Sequence, residues 1–162
     1  MIKGLDLNKL GFPFQKKPIL VGGSAMEYYG LRTKGDDFDF IVCNEDYLGL
    51  AAKYPDHRKD MWADLGIHMD EFELFRSMWK LDYSFFEAES VDIGECRVIS
   101  FEQLFLMKVL AMQSGDKHKR DVDLILERFL EKQNPEYLKN MNDNIARYLA
   151  APGGVILNDG NG

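Results

Sequence analysis

The feature that most constrains this chain is a pair of short blocks: Val21-Gly22-Gly23-Ser24, then, after twelve intervening residues, Asp37-Phe38-Asp39. The first block closes an apolar run, Ile19-Leu20-Val21, which follows Lys17-Pro18 and suits a buried strand. Gly-Gly-Ser turns the chain, and Ser24 is placed as the N-cap of a helix through Ala25-Met26-Glu27-Tyr28-Tyr29 that Gly30 ends. Phe38-Asp39-Phe40-Ile41-Val42 is then a second strand, closed by Asn44-Glu45-Asp46. On such a strand, residues two apart share a face, so Asp37 and Asp39 present two carboxylates side by side.

The remaining pattern is of the same mixed kind. Residues 45–53 are helical and Pro55 stops them. Ile67 to Phe75 and Leu81 to Phe86 are strand-like, and Cys96-Arg97-Val98-Ile99 is a short strand. Ser100-Phe101-Glu102-Gln103 fits a capping box at the start of a helix carrying Leu104, Met107, Val109, Leu110 and Ala111. Ser114-Gly115 breaks it. A helix from Lys117 to Glu131 follows, with Val122, Ile125, Leu126 and Phe129 on one face, and Pro135 opens a last helix through Tyr148. The expectation is an α+β fold: a mixed β-sheet flanked by helices, then a helical C-terminal third. Residues 1–152 form one domain, and 153–162 a flexible tail without apolar content to pack.

Composition narrows the function classes. At 162 residues the chain suits one ordinary domain, and its 46% apolar and 29% charged residues are typical of globular proteins. No apolar run approaches the roughly 20 residues of a membrane span, and no secretion leader is read, so no membrane partner is expected. Two cysteines, Cys43 and Cys96, are too few for a disulfide framework and suit a reducing cytoplasm. A net charge of −7 opposes a general polyanion-binding surface while leaving room for a local cationic pocket.

Like charges as close as Asp37 and Asp39 repel unless a cation sits between them, and oxygen-only ligands select a hard ion such as Mg2+. The Gly-Gly-Ser turn offers backbone N–H groups and a hydroxyl as a seat for phosphate. Carboxylates for a metal beside a phosphate cradle are the equipment of phosphoryl or nucleotidyl transfer. Taken singly, an Asp-x-Asp or a Gly-Gly-Ser is a chance pattern or a turn. Two acids on one face of an apolar strand are less readily explained as structure.

The run from Gly22-Gly23-Ser24-Ala25 through Gly30-Leu31-Arg32-Thr33-Lys34 to Asp36-Asp37-Phe38-Asp39 resembles the signature of the nucleotidyltransferase superfamily. The Gly-Leu-Arg-Thr stretch is similar to small bacterial members, including toxin enzymes of toxin–antitoxin pairs and aminoglycoside nucleotidyltransferases. A second block, Arg97 to Leu104 with Met107-Lys108-Val109-Leu110-Ala111, resembles the family's strand-to-helix step with its inward lysine, and Lys117-His118-Lys119-Arg120-Asp121 resembles the step on the next helix. Together the blocks span about residues 19–126. The family's third carboxylate lies on a later strand. Phe72-Glu73-Leu74-Phe75 fits that pattern best, with Asp70 and Asp82 as competitors.

The resemblance implies a catalytic and metal set of Asp37, Asp39 and Glu73 around Mg2+, with Mn2+ as a substitute. It implies contacts to a nucleoside triphosphate from Gly22, Gly23, Ser24, Arg32, Lys108 and Lys117. The acceptor, whether RNA, protein or small molecule, is left open. Each cation has a plainer reading: Lys108 snorkelling from an apolar helix, and Lys117 to Arg120 as a solvated first turn, although cations there oppose the helix dipole. Asp121 is expected to tether its helix locally rather than bind metal. The same fold without catalysis, a binding or regulatory module acting through a protein partner, is the alternative reading. Among Trp62, Trp79, Tyr28, Tyr29 and Tyr83 a base-stacking surface is conceivable, with packing the commoner role. His57, His68 and His118 show no metal-ligand spacing with the cysteines.

Overall fold

The computed structural model describes residues 2–61, 64–132 and 135–150. The expected tail at 153–162 and Trp62 lie outside the described residues. The chain divides into two compact units, residues 1–123 and 124–162. The first is a mixed α+β body and carries all of the chemistry considered below. Of the second, the described part is helical.

In the first unit, β1 (Ile19–Leu20) leads directly into α1 (Gly22–Tyr28), which is followed by β2 (Phe38–Ile41), α2 (Asn44–Lys53), β3 (Arg58–Met61), β4 (Asp64–Met69) and β5 (Phe72–Phe75). A two-stranded hairpin, β6 (Ser77–Met78) and β7 (Leu81–Asp82), precedes α3 (Tyr83–Glu87). Then come β8 (Val91–Asp92), β9 (Arg97–Val98), α4 (Phe101–Ala111) and α5 (Asp116–Lys132), which runs past the boundary between the units. In the second unit α6 covers Pro135–Ala150. No described helix is long and apolar enough to cross a membrane.

Among the described residues seven strands form one sheet in the order β3-β4-β5-β2-β1-β9-β8. The β2–β5 and β1–β9 pairs are parallel and the others antiparallel. The centre is apolar and closed to water: Ile19, Leu20, Phe40, Ile41 and Leu74 have no exposed surface, nor have Ala25 and Met26 of α1 or Leu104 of α4. Removing these side chains from water is the main favourable term holding helices to sheet.

Several sequence expectations are corrected at the turns. Ser24 is not an N-cap: the helix begins at Gly22, with Val21 in the cap position, and Ser24 is buried inside it. Ile67 to Phe75 is two strands, not one, because Asp70 adopts a left-handed backbone (φ 49°) and folds β4 back on β5. Leu81 to Phe86 is a two-residue strand followed by a helix, since the Asp82 carboxylate accepts the Phe85 N–H at 3.2 Å and caps α3. The Ser100 cap is present, its hydroxyl accepting the Gln103 N–H at 3.2 Å. The Gln103 amide, however, donates to the Phe85 carbonyl at 2.6 Å instead of returning to residue 100. In α5, Val122 and Ile125 are buried, whereas Leu126 is exposed.

Asp46, which the sequence places where the second strand ends and a helix begins, is a fastener. It has no exposed surface, and its carboxylate accepts the N–H groups of Gln15 and Lys16 at 2.9 and 3.1 Å and the Cys43 thiol at 3.2 Å. The N-terminal segment is thereby held to the start of α2. Asp46→Ala would leave two backbone donors without their partner, at a cost of about 1–3 kcal/mol for each that stays buried. Urea denaturation should show Asp46→Ala less stable by about 3 kcal/mol, with Asp46→Asn, which keeps an acceptor oxygen, losing clearly less.

Candidate active site

The parallel register of β2 and β5 sets Asp39 directly opposite Glu73, and the antiparallel register of β4 sets His68 opposite Glu73 in turn. Partners across a register share a face of the sheet, so these three side chains form one row. Asp37, two residues before Asp39, joins the same face from the segment leading into β2. Asp37, Asp39 and Glu73 each offer a carboxylate oxygen, all within 4.8 Å of one another. Asp70 stands in the β4–β5 turn and Asp82 caps α3, so neither belongs to this cluster.

The backbone beside the cluster is shaped around Asp39. Gly22 has φ +60°, and a Cβ built there would lie 1.9 Å from Asp39 Oδ2. No other residue leaves room for that carboxylate. The Gly23 N–H donates to Asp39, which steadies the charged form. Burial opposes that charge more strongly, and the nearby Glu73 and Asp37 charges add to the effect, so the Asp39 pKa rises from 3.8 to about 6. Glu73 is held by its other neighbours: Lys59 Nζ donates to Oε1 at 3.1 Å, and His68 Nδ1 lies 3.2 Å from the same oxygen.

A cavity of about 200 Å3 opens beside the carboxylates. Gly22, Gly23, Asp39 and Glu73 line one part, and Lys108, Ser114, Lys117 and His118 another. The remaining wall is apolar, made by Phe75, Met78, Trp79, Leu104, Met107 and Ala111. Of the aromatic residues considered from sequence, Trp79 is the one among the described residues that reaches this cavity. Tyr29 and Tyr83 instead donate their hydroxyls to the Ile99 and Lys17 carbonyls.

The cations are distributed differently from a simple phosphate cradle. Arg32 Nε and Nη2 donate to Asp121 Oδ1 and Oδ2 at 2.6 and 3.0 Å, and Lys108 Nζ lies 2.7 Å from Asp121 Oδ2. Asp121, with a side chain 2% exposed, therefore tethers its helix to the α1–β2 segment and to α4. Burial works against its charge, but the hydrogen bonds from Arg32 and Lys108 outweigh it and hold the Asp121 pKa below the usual carboxylate value. Burial pulls the Lys108 pKa down, with Asp121 partly offsetting it. Lys108 still lines the cavity, and Lys117 does so as an exposed side chain. Arg32 and Ser24 do not line it, and the Ser24 hydroxyl donates to the Asp37 carbonyl at 3.3 Å.

Three participants are not assigned to the site by the sequence. Lys59 and His68 reach Glu73 from other strands, a relation that only the register reveals. His118 lines the cavity with a buried Nδ1 that has no hydrogen-bond partner. Its pKa is lowered first by burial and then by the charge of Lys108. The donor set itself suits a hard divalent cation: three carboxylates, two of them half-buried, with their mutual repulsion already visible in Asp39. No protein-family model matches the chain, and no curated protein matches it.

Two outcomes test this electrostatic picture. Between pH 3.8 and about 6 the folded protein binds the Asp39 proton more tightly than the unfolded chain, so folding stability declines as pH rises through that window. The full difference, about 3 kcal/mol, is reached above it. Asp39→Asn should therefore raise the metal-free thermal midpoint at pH 7.5, and melting curves should show the gain vanishing near pH 4. Asp121→Ala strands two cations, one of them deeply buried, and should cost about 3–5 kcal/mol in urea denaturation.

Proposed function

We propose that this protein is a metal-dependent nucleotidyltransferase with a nucleotidyltransferase-like fold. It would transfer a nucleoside monophosphate from a nucleoside triphosphate to an acceptor hydroxyl or amine. The observation that carries this reading is the convergence of Asp37, Asp39 and Glu73 to within 4.8 Å, two of them, Asp39 and Glu73, lining a cavity that two lysines also line. The order of the Gly-Gly-Ser, Asp-x-Asp and lysine-bearing segments, which resembles that superfamily, supports it independently.

In this reading the three carboxylates hold Mg2+ or Mn2+, which when bound supplies charge neutralisation for the phosphates and lowers the pKa of the attacking group. Lys117 and Lys108 face the triphosphate, Lys108 in the fixed position that Asp121 imposes. Gly22 lets the Asp39 carboxylate keep its place in the cluster, since any side chain there would collide with it. The acceptor oxygen or nitrogen forms its bond to the α-phosphorus as the bond from the α-phosphorus to the pyrophosphate oxygen breaks. Its proton passes to a carboxylate of the cluster, and pyrophosphate leaves. Catalysis of this kind rests on positioning and electrostatics, without a covalent protein intermediate.

Calorimetric titration of each nucleoside triphosphate, with and without Mg2+, tests the reading. Binding should require Mg2+ and fall at least tenfold in Asp37→Asn/Asp39→Asn, a variant expected to be folded because it relieves repulsion. Folded wild-type protein that binds no triphosphate would overturn the enzymatic reading in favour of a module acting through a protein partner.

A further inference from the structure

The β6–β7 hairpin turns through Trp79 and Lys80, and both have left-handed backbones, with φ of 53° and 67°. Two-residue hairpin turns of this kind favour Asn-Gly or Asp-Gly, because a bulky side chain at positive φ crowds its own backbone. Trp79 occupies such a position without relief from glycine. What holds it there is Asp64 of β4, whose carboxylate accepts the Trp79 N–H at 2.8 Å and the Ser77 hydroxyl at 3.1 Å. Strain maintained by surrounding structure points to a use for the side chain it positions.

That side chain is not a packing residue. Trp79 remains 39% exposed at the tip of a two-stranded hairpin, yet it lines the cavity that contains Asp39 and Glu73. Phe75, Met78, Leu104 and Met107 continue the apolar wall beside it. The cavity volume of about 200 Å3 is below the usual range for a whole drug-sized ligand, about 300–1,000 Å3, so it suits one ring system and not a complete nucleotide. An exposed indole beside aliphatic side chains and next to carboxylates is a surface on which a flat ring stacks while charged groups extend outward.

We infer that Trp79 is the ring-binding platform of this cavity, stacking on a planar aromatic ring of the ligand. The inference rests on the proposed function, under which that ring is the base of the nucleoside triphosphate. Asp64 is then a positioning residue that sets the height of the indole through the Trp79 N–H.

The test uses a Trp62→Phe background, in which Trp79 is the sole tryptophan. Intrinsic fluorescence is followed during titration with nucleoside triphosphates and with inorganic tripolyphosphate, each with Mg2+, and affinities are measured by calorimetry. Trp79→Asn removes the ring while suiting the left-handed backbone, and should melt no lower than its parent. Trp79→Phe restores an aromatic face. The expected result is quenching by nucleotide but not by tripolyphosphate, about tenfold weaker nucleotide binding in Trp79→Asn, largely recovered in Trp79→Phe, and unchanged tripolyphosphate binding throughout. Nucleotide affinity unaltered in Trp79→Asn, or equal to that of tripolyphosphate in the parent, overturns the inference and leaves the proposed function standing. Failure of the parent to bind either probe overturns both.

Discussion

Parallel pairing of β2 with β5 is the constraint on which the site depends. It brings together two strands that lie more than thirty residues apart in the chain and sets Asp39 opposite Glu73. An apolar strand pair of this kind is stabilised by burying Phe38, Phe40, Ile41, Phe72, Leu74 and Phe75. Those burials hold the acids in a position that electrostatics alone would reject. Each fully buried large apolar side chain contributes roughly 1.5–3 kcal/mol, so the pair outweighs the unfavourable charge at Asp39 several times over. The core thus holds the carboxylates close together, and the strain surfaces as a raised pKa and not as a broken strand.

The cations are arranged by the opposite logic. Asp121 lies 89 residues from Arg32 in sequence, yet it accepts from both Arg32 and Lys108 inside the protein. A buried ion pair of this sort contributes little net stability relative to apolar replacements, because desolvation cancels much of the attraction. Its effect is geometric: two side chains with many rotamers are reduced to one arrangement. Lys108 also acts on Asp39, where its charge offsets part of the rise in pKa that burial, Glu73 and Asp37 produce.

The legibility of these features in the sequence follows from how local their causes are. The strands around Ile19-Leu20 and Phe38 to Ile41, the helix capped by Ser100 and the same-face pairing of Asp37 with Asp39 all depend on neighbouring residues, and periodicity exposes them. Where turns use residues other than glycine or asparagine, the reading breaks down. Trp79 and Lys80 adopt left-handed conformations that their own preferences disfavour, and Asp70 adopts one with no glycine or asparagine to mark the turn, so β4 and β5 merge into one expected strand and the β6–β7 hairpin has no local signal. In the second case the determining contact is Asp64, on another strand. Lys59 and His68 at Glu73, and Arg32 at Asp121, are likewise decided by register and tertiary packing. Glu73 is the third carboxylate that the pattern Phe72-Glu73-Leu74-Phe75 already favours over Asp70 and Asp82, and the fold brings it within reach of Asp37 and Asp39.

These non-local contacts gather on one cavity, and their energetic characters differ in an informative way. Asp46, far from it in role, is a buried acid satisfied by two backbone donors and a thiol, which makes it a structural fastener. Asp39 is a half-buried acid with a single backbone donor and two like charges beside it, an arrangement that folding does not need. Trp79 is a large apolar side chain held exposed on a strained turn, which folding does not need either. A chain that satisfies its buried acid at Asp46 shows that its fold can accommodate such a group without conflict. Repulsion at Asp39 and an uncovered indole at Trp79, both on the wall of one small cavity, are two features that the proposed function accounts for together: a divalent cation would supply positive charge to the first, and a nucleotide base would supply a flat apolar surface to the second.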